Sequence, residues 1–237
     1  MRGGPDLIKE NYQKVLAAID EARARRTMVP KDLPVTLIAV TKNHDVEAMR
    51  EAIDAGASDI GENRIQEAKA KFEILDRKVT RHLIGHLQTN KARQAVKYFD
   101  LIHSVDSLHL AEALDREAAK LGKLQDILLQ VNLAREDSKS GLYKEDLLET
   151  FRQVDQLEHL RIRGLMCMAP NYDDVELCRP LFRDMYGIFQ EVKDMDCWQR
   201  AKADYLSMGM SHDYEIAVEE GANIVRVGTA IFGPRQY

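Results

Sequence analysis

The chain has no apolar run approaching the roughly 18 residues of a membrane span, and its opening, MRGGPDLIKENYQ, lacks the apolar segment of a secretory leader. A cytoplasmic protein is expected. There is also no long lysine and arginine run, and the formal net charge is -5. Nucleic-acid binding needs a concentrated positive surface, so that class is set aside, while a small anion can still be held locally. Cysteine is scarce: Cys167, Cys178 and Cys197 form an odd set without a C-x-x-C pair. Neither a disulfide framework nor a zinc site is signalled, and the three read as buried thiols. His82 and His86 have the spacing to share one face of a strand, but third and fourth metal ligands are not visible, so no metal is expected.

A Gly/Pro/Ser-rich linker and a break in composition are missing too. What fills all 237 residues is an alternation. After a helical opening from Asp6 to about Arg26, strand-sized apolar runs appear at Thr36–Val40, Ser58–Gly61, His82–Gly85, Leu101–Ser104, Ile127–Asn132, Arg163–Met168, Tyr205–Met208 and Ile224–Gly228. Amphipathic helical patterns separate them: Val46–Ala55, Ile65–Leu75, Lys91–Tyr98, Leu108–Leu121, Lys144–Leu157, Val175–Lys193 and His212–Glu219. Eight strands alternating with helices predict an α/β fold, a single (β/α)8 TIM barrel forming one domain over residues 1–237, with an open doubly wound sheet as the alternative. Only nine residues follow the last strand. The opening helix is therefore expected to fill the gap in the outer ring.

In such a barrel the functional face is built by the loops that follow the strands. Lys42 follows the first, Glu62 and Asn63 the second, His86 the third, Met208 to Ser211 the seventh, and Gly228 with Thr229 the eighth. A lysine ending the apolar run LIAVTK sits where its charged form is disfavoured, and a neutral amine condenses with aldehydes. On position alone, an ordinary exposed lysine explains it better. The ends of strands seven and eight commonly hold phosphate. There Ser211 is expected to cap a helix starting at His212 and to offer its hydroxyl, Gly228 to let an anion approach the backbone, and Thr229 to add a second hydroxyl. Arg226 alternates with Gly228 and should face the barrel interior, either beside a ring nitrogen, whose protonation it would disfavour, or paired with a structural carboxylate.

Seven blocks resemble the pyridoxal phosphate homeostasis protein family, also known as proline synthetase co-transcribed homologues: AVTK (39–42), GENRIQEA (61–68), HLIGHLQTNK (82–91), IHSVDS (102–107), QVNLAREDSKSGL (130–142), IRGLMCMAP (162–170) and LSMGMSHDYEIAVEEGANIVRVGTAIFG (206–233). The resemblance implies a barrel like the N-terminal domain of alanine racemase, with pyridoxal 5'-phosphate (PLP) joined to Lys42 as a Schiff base. It further implies that Ser211, Gly228 and Thr229 hold the phosphate, that Arg226 meets the pyridine nitrogen, and that Asn63 and His86 are neighbours of the cofactor. Met208 and Asn132 are weaker candidates for the wall. Two departures, expected to alter the rim of the pocket, stand out: Arg81 where the family often has Trp, and Asn43-His44-Asp45 after the lysine.

The related racemases add a second domain and a partner subunit, whereas here the barrel takes up the chain. A second base opposite Lys42 has only Tyr205, Tyr214 and His86 as candidates. The expected role is thus PLP (vitamin B6) homeostasis, as a monomeric carrier whose recipients are PLP-dependent apoenzymes, rather than rapid catalysis. A PLP-dependent racemase or decarboxylase, and a lyase forming a Schiff base with a sugar phosphate, remain as alternatives.

Overall fold

The computed structural model describes residues 5–136, 140–196, 198–200 and 203–234. Cys197 and residues 137–139 of the fifth block lie outside them. Eight parallel strands close into one barrel in sequence order: β1 (Thr36–Val40), β2 (Asp59–Glu62), β3 (Thr80–Leu83), β4 (Leu101–Val105), β5 (Gln125–Val131), β6 (Leu160–Cys167), β7 (Tyr205–Ser207) and β8 (Ile224–Val227). The seam is a four-residue register, from Thr36 opposite Ile224 to Ala39 opposite Val227. An open sheet is thereby excluded. Strands β3, β5 and β6 begin two or three residues before the apolar runs that predict them. Their first residues, such as Thr80 opposite Asp59 and Gln125 opposite Leu160, join the ladder through the backbone, which a hydropathy pattern does not register.

Between the strands lie α2 to α8, at Val46–Asp54, Ile65–Ile74, Ala92–Tyr98, Leu108–Lys120, Lys144–Asp155, Arg179–Lys193 and Tyr214–Glu219, preceded by α1 (Pro5–Ala24) and followed by the single turn α9 (Thr229–Phe232). Short polar residues start two of them: Asp45 accepts the Ala48 N–H at 2.9 Å, and Ser107 accepts that of Leu110 at 3.1 Å. The expected ring closure is present. Helix α1 packs beside α2, α8 and α9, and Asn11 donates to the Ile231 carbonyl at 3.0 Å. Just beyond α1, the buried Arg26 donates to the carbonyls of Val218 (2.8 Å) and Ala222 (2.9 Å), and so ties the start of the chain to α8.

The core has two layers. An outer one fills the space between strands and helices, and an inner one stacks Ile38, Val40, Ile84, Leu101, Leu128, Met166 and Ile224 inside the barrel. Period-2 alternation sends every second strand residue inward. Where β6 meets β7 the barrel admits no side chain at all: Gly164 has φ +144°, and a Cβ there would stand 1.8 Å from the Tyr205 carbonyl oxygen. No described helix is long and apolar enough to cross a membrane.

Candidate functional site

The residue alternation that sends Ile38 and Val40 inward brings Lys42 to the barrel mouth, half-buried on the turn after β1. That turn is clamped from behind. The buried Lys71 of α3 donates to the carbonyls of Thr41 (2.8 Å) and His44 (3.1 Å), and it is ion-paired with Glu62 and Glu67. The Thr41 hydroxyl donates to Glu62 at 2.8 Å, and Glu67 accepts the N–H of Asn43, whose φ of 63° suits asparagine. Glu62 is fully buried between strand and helix, where burial pushes its carboxyl up to about 7 against the pull of Lys71 and Thr41. It therefore supports the Lys42 turn from the outer layer and does not face the mouth.

A cavity of about 350 Å³ opens above β1, β7 and β8, and Lys42, Asn63, Ser211, Arg226, Gly228 and Thr229 all line it. Six of the nine residues expected at the cofactor thus line one cavity. Helix α8 begins at Tyr214 rather than His212, because the Asp213 carboxylate turns back to accept the Met210 N–H at 2.7 Å. Ser211 is therefore not the cap of α8. Its oxygen instead accepts the N–H groups of Gly228 (3.2 Å) and Ala230 (3.4 Å), so hydroxyl and amides converge on one point of the wall, next to exposed Thr229. Packing alone does not demand glycine at 228: a Cβ there would meet the Cβ and the carbonyl oxygen of Val40 at 3.4 Å, an ordinary contact.

Arg226 points inward and is 2% exposed. Its Nη1 donates to the Ser207 hydroxyl and its Nη2 to the Cys167 carbonyl at 3.1 Å, so the expected alternative of a directly paired carboxylate is not what the structure contains. Burial draws the guanidinium below its usual value, opposed by Cys167 and Asp213, yet an arginine keeps its charge in proteins. The adjoining Cys167 thiol is pushed up to about 12 by burial.

The other three expected residues, Met208, His86 and Asn132, lie elsewhere. Met208 is fully buried in the outer core layer and does not border the cavity, since strand alternation turns it away from the interior. His86 is exposed, bonded to the Ser140 hydroxyl at 3.0 Å, and with Asn132 it lines a separate cavity of about 230 Å³ that touches the first only through Met168. Nor do His82 and His86 share a strand face, because β3 ends at Leu83. Among the described residues no three His, Cys, Asp or Glu groups come together as a metal site.

Three lining residues had escaped the sequence reading, Met168, Asn171 and His212, while His44 belongs to the departure after the lysine that was expected to alter the rim. The rule that pointed to the other loops points equally to the one after β6, which supplies Met168 and Asn171. His44 reaches the site by packing on Phe232 of α9, with ring centroids 4.9 Å apart.

The model of the alanine racemase N-terminal domain family matches residues 9–236. The pyridoxal phosphate homeostasis protein of Escherichia coli strain K12 is 38% identical over 236 residues, covering 97% of both chains. The chain belongs to the pyridoxal phosphate homeostasis protein family. A solved structure, PipY of Synechococcus elongatus with PLP bound, superposes on this family member with a TM-score of 0.81 at 41% identity, covering 95% of this chain and 100% of that one. Alanine racemase of Bartonella henselae with covalently bound PLP shares the barrel alone: 15% identity, TM-score 0.70, 98% of this chain and 59% of that chain. The donor set of the homeostasis-family cavity suits PLP: an amine, a cluster of N–H and hydroxyl groups for a phosphate, and a guanidinium deep in the wall.

Proposed function

We propose that this protein binds PLP in the cavity over β1, β7 and β8 and acts in PLP homeostasis as a single-barrel, monomeric cytoplasmic carrier, with PLP-dependent apoenzymes as recipients. The observation that carries the reading is the meeting of Lys42, the Ser211–Gly228–Ala230 cluster and Arg226 around one cavity. PLP supplies an aldehyde carbon that bonds to a primary amine, and a ring whose electron demand depends on its nitrogen. Lys42 would provide the covalent tether on its clamped turn. Ser211, Thr229 and the amides of Gly228 and Ala230 would receive the phosphate, with Ser211 exchanging acceptance of the amides for donation to a phosphate oxygen. Arg226 beside the ring nitrogen would keep it unprotonated, and Asn63 would border the ring. The PLP-bound PipY relative supports the same assignment of ligand.

Of the candidates for a base opposite Lys42, Tyr205, Tyr214 and His86 do not line the cavity. His44 and His212 do, and they keep a racemase reading testable. The deciding measurement is the absorption spectrum of purified protein incubated with PLP and desalted. Wild type should carry a yellow chromophore that is missing from Lys42→Ala; an identical spectrum in the variant would remove Lys42 as the tether. Racemisation of an amino-acid panel that disappears in the same variant would replace the carrier with an enzyme. Borohydride trapping of a sugar phosphate without PLP would favour the lyase.

A further inference from the structure

Below the cavity, five inward-facing polar residues from five strands form one unbroken line. Asp59 of β2 meets His82 of β3, Oδ1 to Nε2, at 2.7 Å; His82 Nδ1 meets His103 Nε2 of β4 at 2.9 Å; and His103 Nδ1 meets the Ser207 hydroxyl of β7 at 3.0 Å. Ser207 then receives Arg226 of β8. His82, His103, Ser207 and Arg226 are buried, and the two rings meet edge to face at 5.1 Å.

The direction of the line follows from its ends. A guanidinium only donates, so the Ser207 oxygen must accept from Arg226. A carboxylate only accepts, so His82 Nε2 must carry a proton toward Asp59. With one proton on each ring, a single arrangement satisfies every group: Ser207 O–H donates to His103 Nδ1, His103 Nε2–H donates to His82 Nδ1, and His82 Nε2–H donates to Asp59. A neutral His103 is favoured by its complete burial, with the Arg226 cation nearby acting in the same direction, so that its pKa is held well below the usual value. Burial raises the Asp59 carboxyl, but hydrogen bonds from His82 and Ser58 outweigh it and keep the group ionised at neutral pH. The buried Arg226 cation feels the buried Asp213 carboxylate directly, and the line adds a second acceptor, Asp59, reached through three intermediaries.

We propose that His103, His82 and Asp59 are positioning residues for Arg226: a one-way hydrogen-bond chain that fixes the guanidinium against the cavity and so tunes the ring of the bound cofactor. This rests on the reading that the cavity takes PLP. The test has one arm that needs PLP and one that does not. In PLP-free protein at neutral pH, long-range proton–nitrogen NMR should show Nε2–H tautomers for both His82 and His103; an Nδ1–H tautomer at His103 would overturn the chain. In PLP-loaded protein, His103→Leu should displace the absorption maximum and lose PLP roughly tenfold faster, the scale of one hydrogen bond to a charged group. His103→Gln, which keeps a donor and an acceptor, should recover most of both, and Asp59→Asn should shift the spectrum in the same direction as His103→Leu but less. A wild-type spectrum and retention in a folded His103→Leu would refute the positioning role. Should His103→Leu fail to fold, a His103→Gln protein whose spectrum matches no better than Asp59→Asn would do the same. If wild type itself takes up no PLP, the functional reading fails, while the tautomer measurement still judges the chain.

Discussion

The two ends of the barrel interior solve the same problem differently. At the closed end, each polar group of the Asp59–His82–His103–Ser207 line has a partner inside the line, and nothing is left over for a ligand. At the mouth, the partners are interchangeable: Ser211 accepts two amides that a phosphate can accept equally well, and Thr229 is exposed. The contrast separates support from recognition. Changes at the closed end should cost stability and alter the mouth only through Arg226, whereas changes at the mouth should cost binding and little else.

The largest effect is expected at Glu62, which underpins the mouth from the outer layer. A carboxyl held at about 7 when folded, against an ordinary 4.5, binds its proton more tightly in the folded state. Its contribution is therefore full below about pH 4.5 and lost as the pH climbs toward 7, a change of about 3 kcal/mol by linkage. Urea unfolding of wild type and Glu62→Gln from pH 4.5 to 8 should show that slope only in wild type; parallel curves would leave the carboxyl unperturbed. Next in size is Asp59→Ala, which strands the buried His82 donor at the end of the line. A loss of about 1–3 kcal/mol in unfolding free energy is expected, and less than about 0.5 kcal/mol would mean that the line carries no load. At the mouth, replacing Ser211 and Thr229 together with Ala should lower stability by no more than about 1 kcal/mol, while PLP is washed out far more readily after its bond to Lys42 is opened. Equal retention would place the phosphate elsewhere. The smallest response belongs to the thiols: Cys167 and Cys178, pushed by burial to about 12 and about 11, should resist alkylation at pH 8 in the native protein and react on unfolding.

Much of this was legible from residue order. Alternating apolar runs and amphipathic stretches expose a barrel because each strand and helix carries its own period, and the position of Lys42, Ser211, Arg226 and Gly228 at strand ends places them on one rim. What escaped depends on contacts that no local pattern encodes. Thr80 and Gln125 join strands by backbone pairing, Ser211 caps across to another loop rather than its own helix, and His86 turns to Ser140 and the neighbouring cavity instead of the main one. The interior line was visible only in part, since His82 looked like half of a metal pair while its true partners, Asp59 and His103, come from neighbouring strands 23 and 21 residues away.

The seam between β1 and β8 has a consequence in time as well as space. Lys42 lies on one side of it and Gly228 with Thr229 on the other, and α1, which can meet α2 early, completes its packing only against α8 and α9, elements made some 200 residues later. Contacts of such sequence separation form late, because loop closure must precede them. Lysine and phosphate pocket meet only when the last strand docks, so a growing or half-folded chain exposes the amine without the pocket, and the ability to capture a reactive aldehyde cofactor is acquired at the final step of folding.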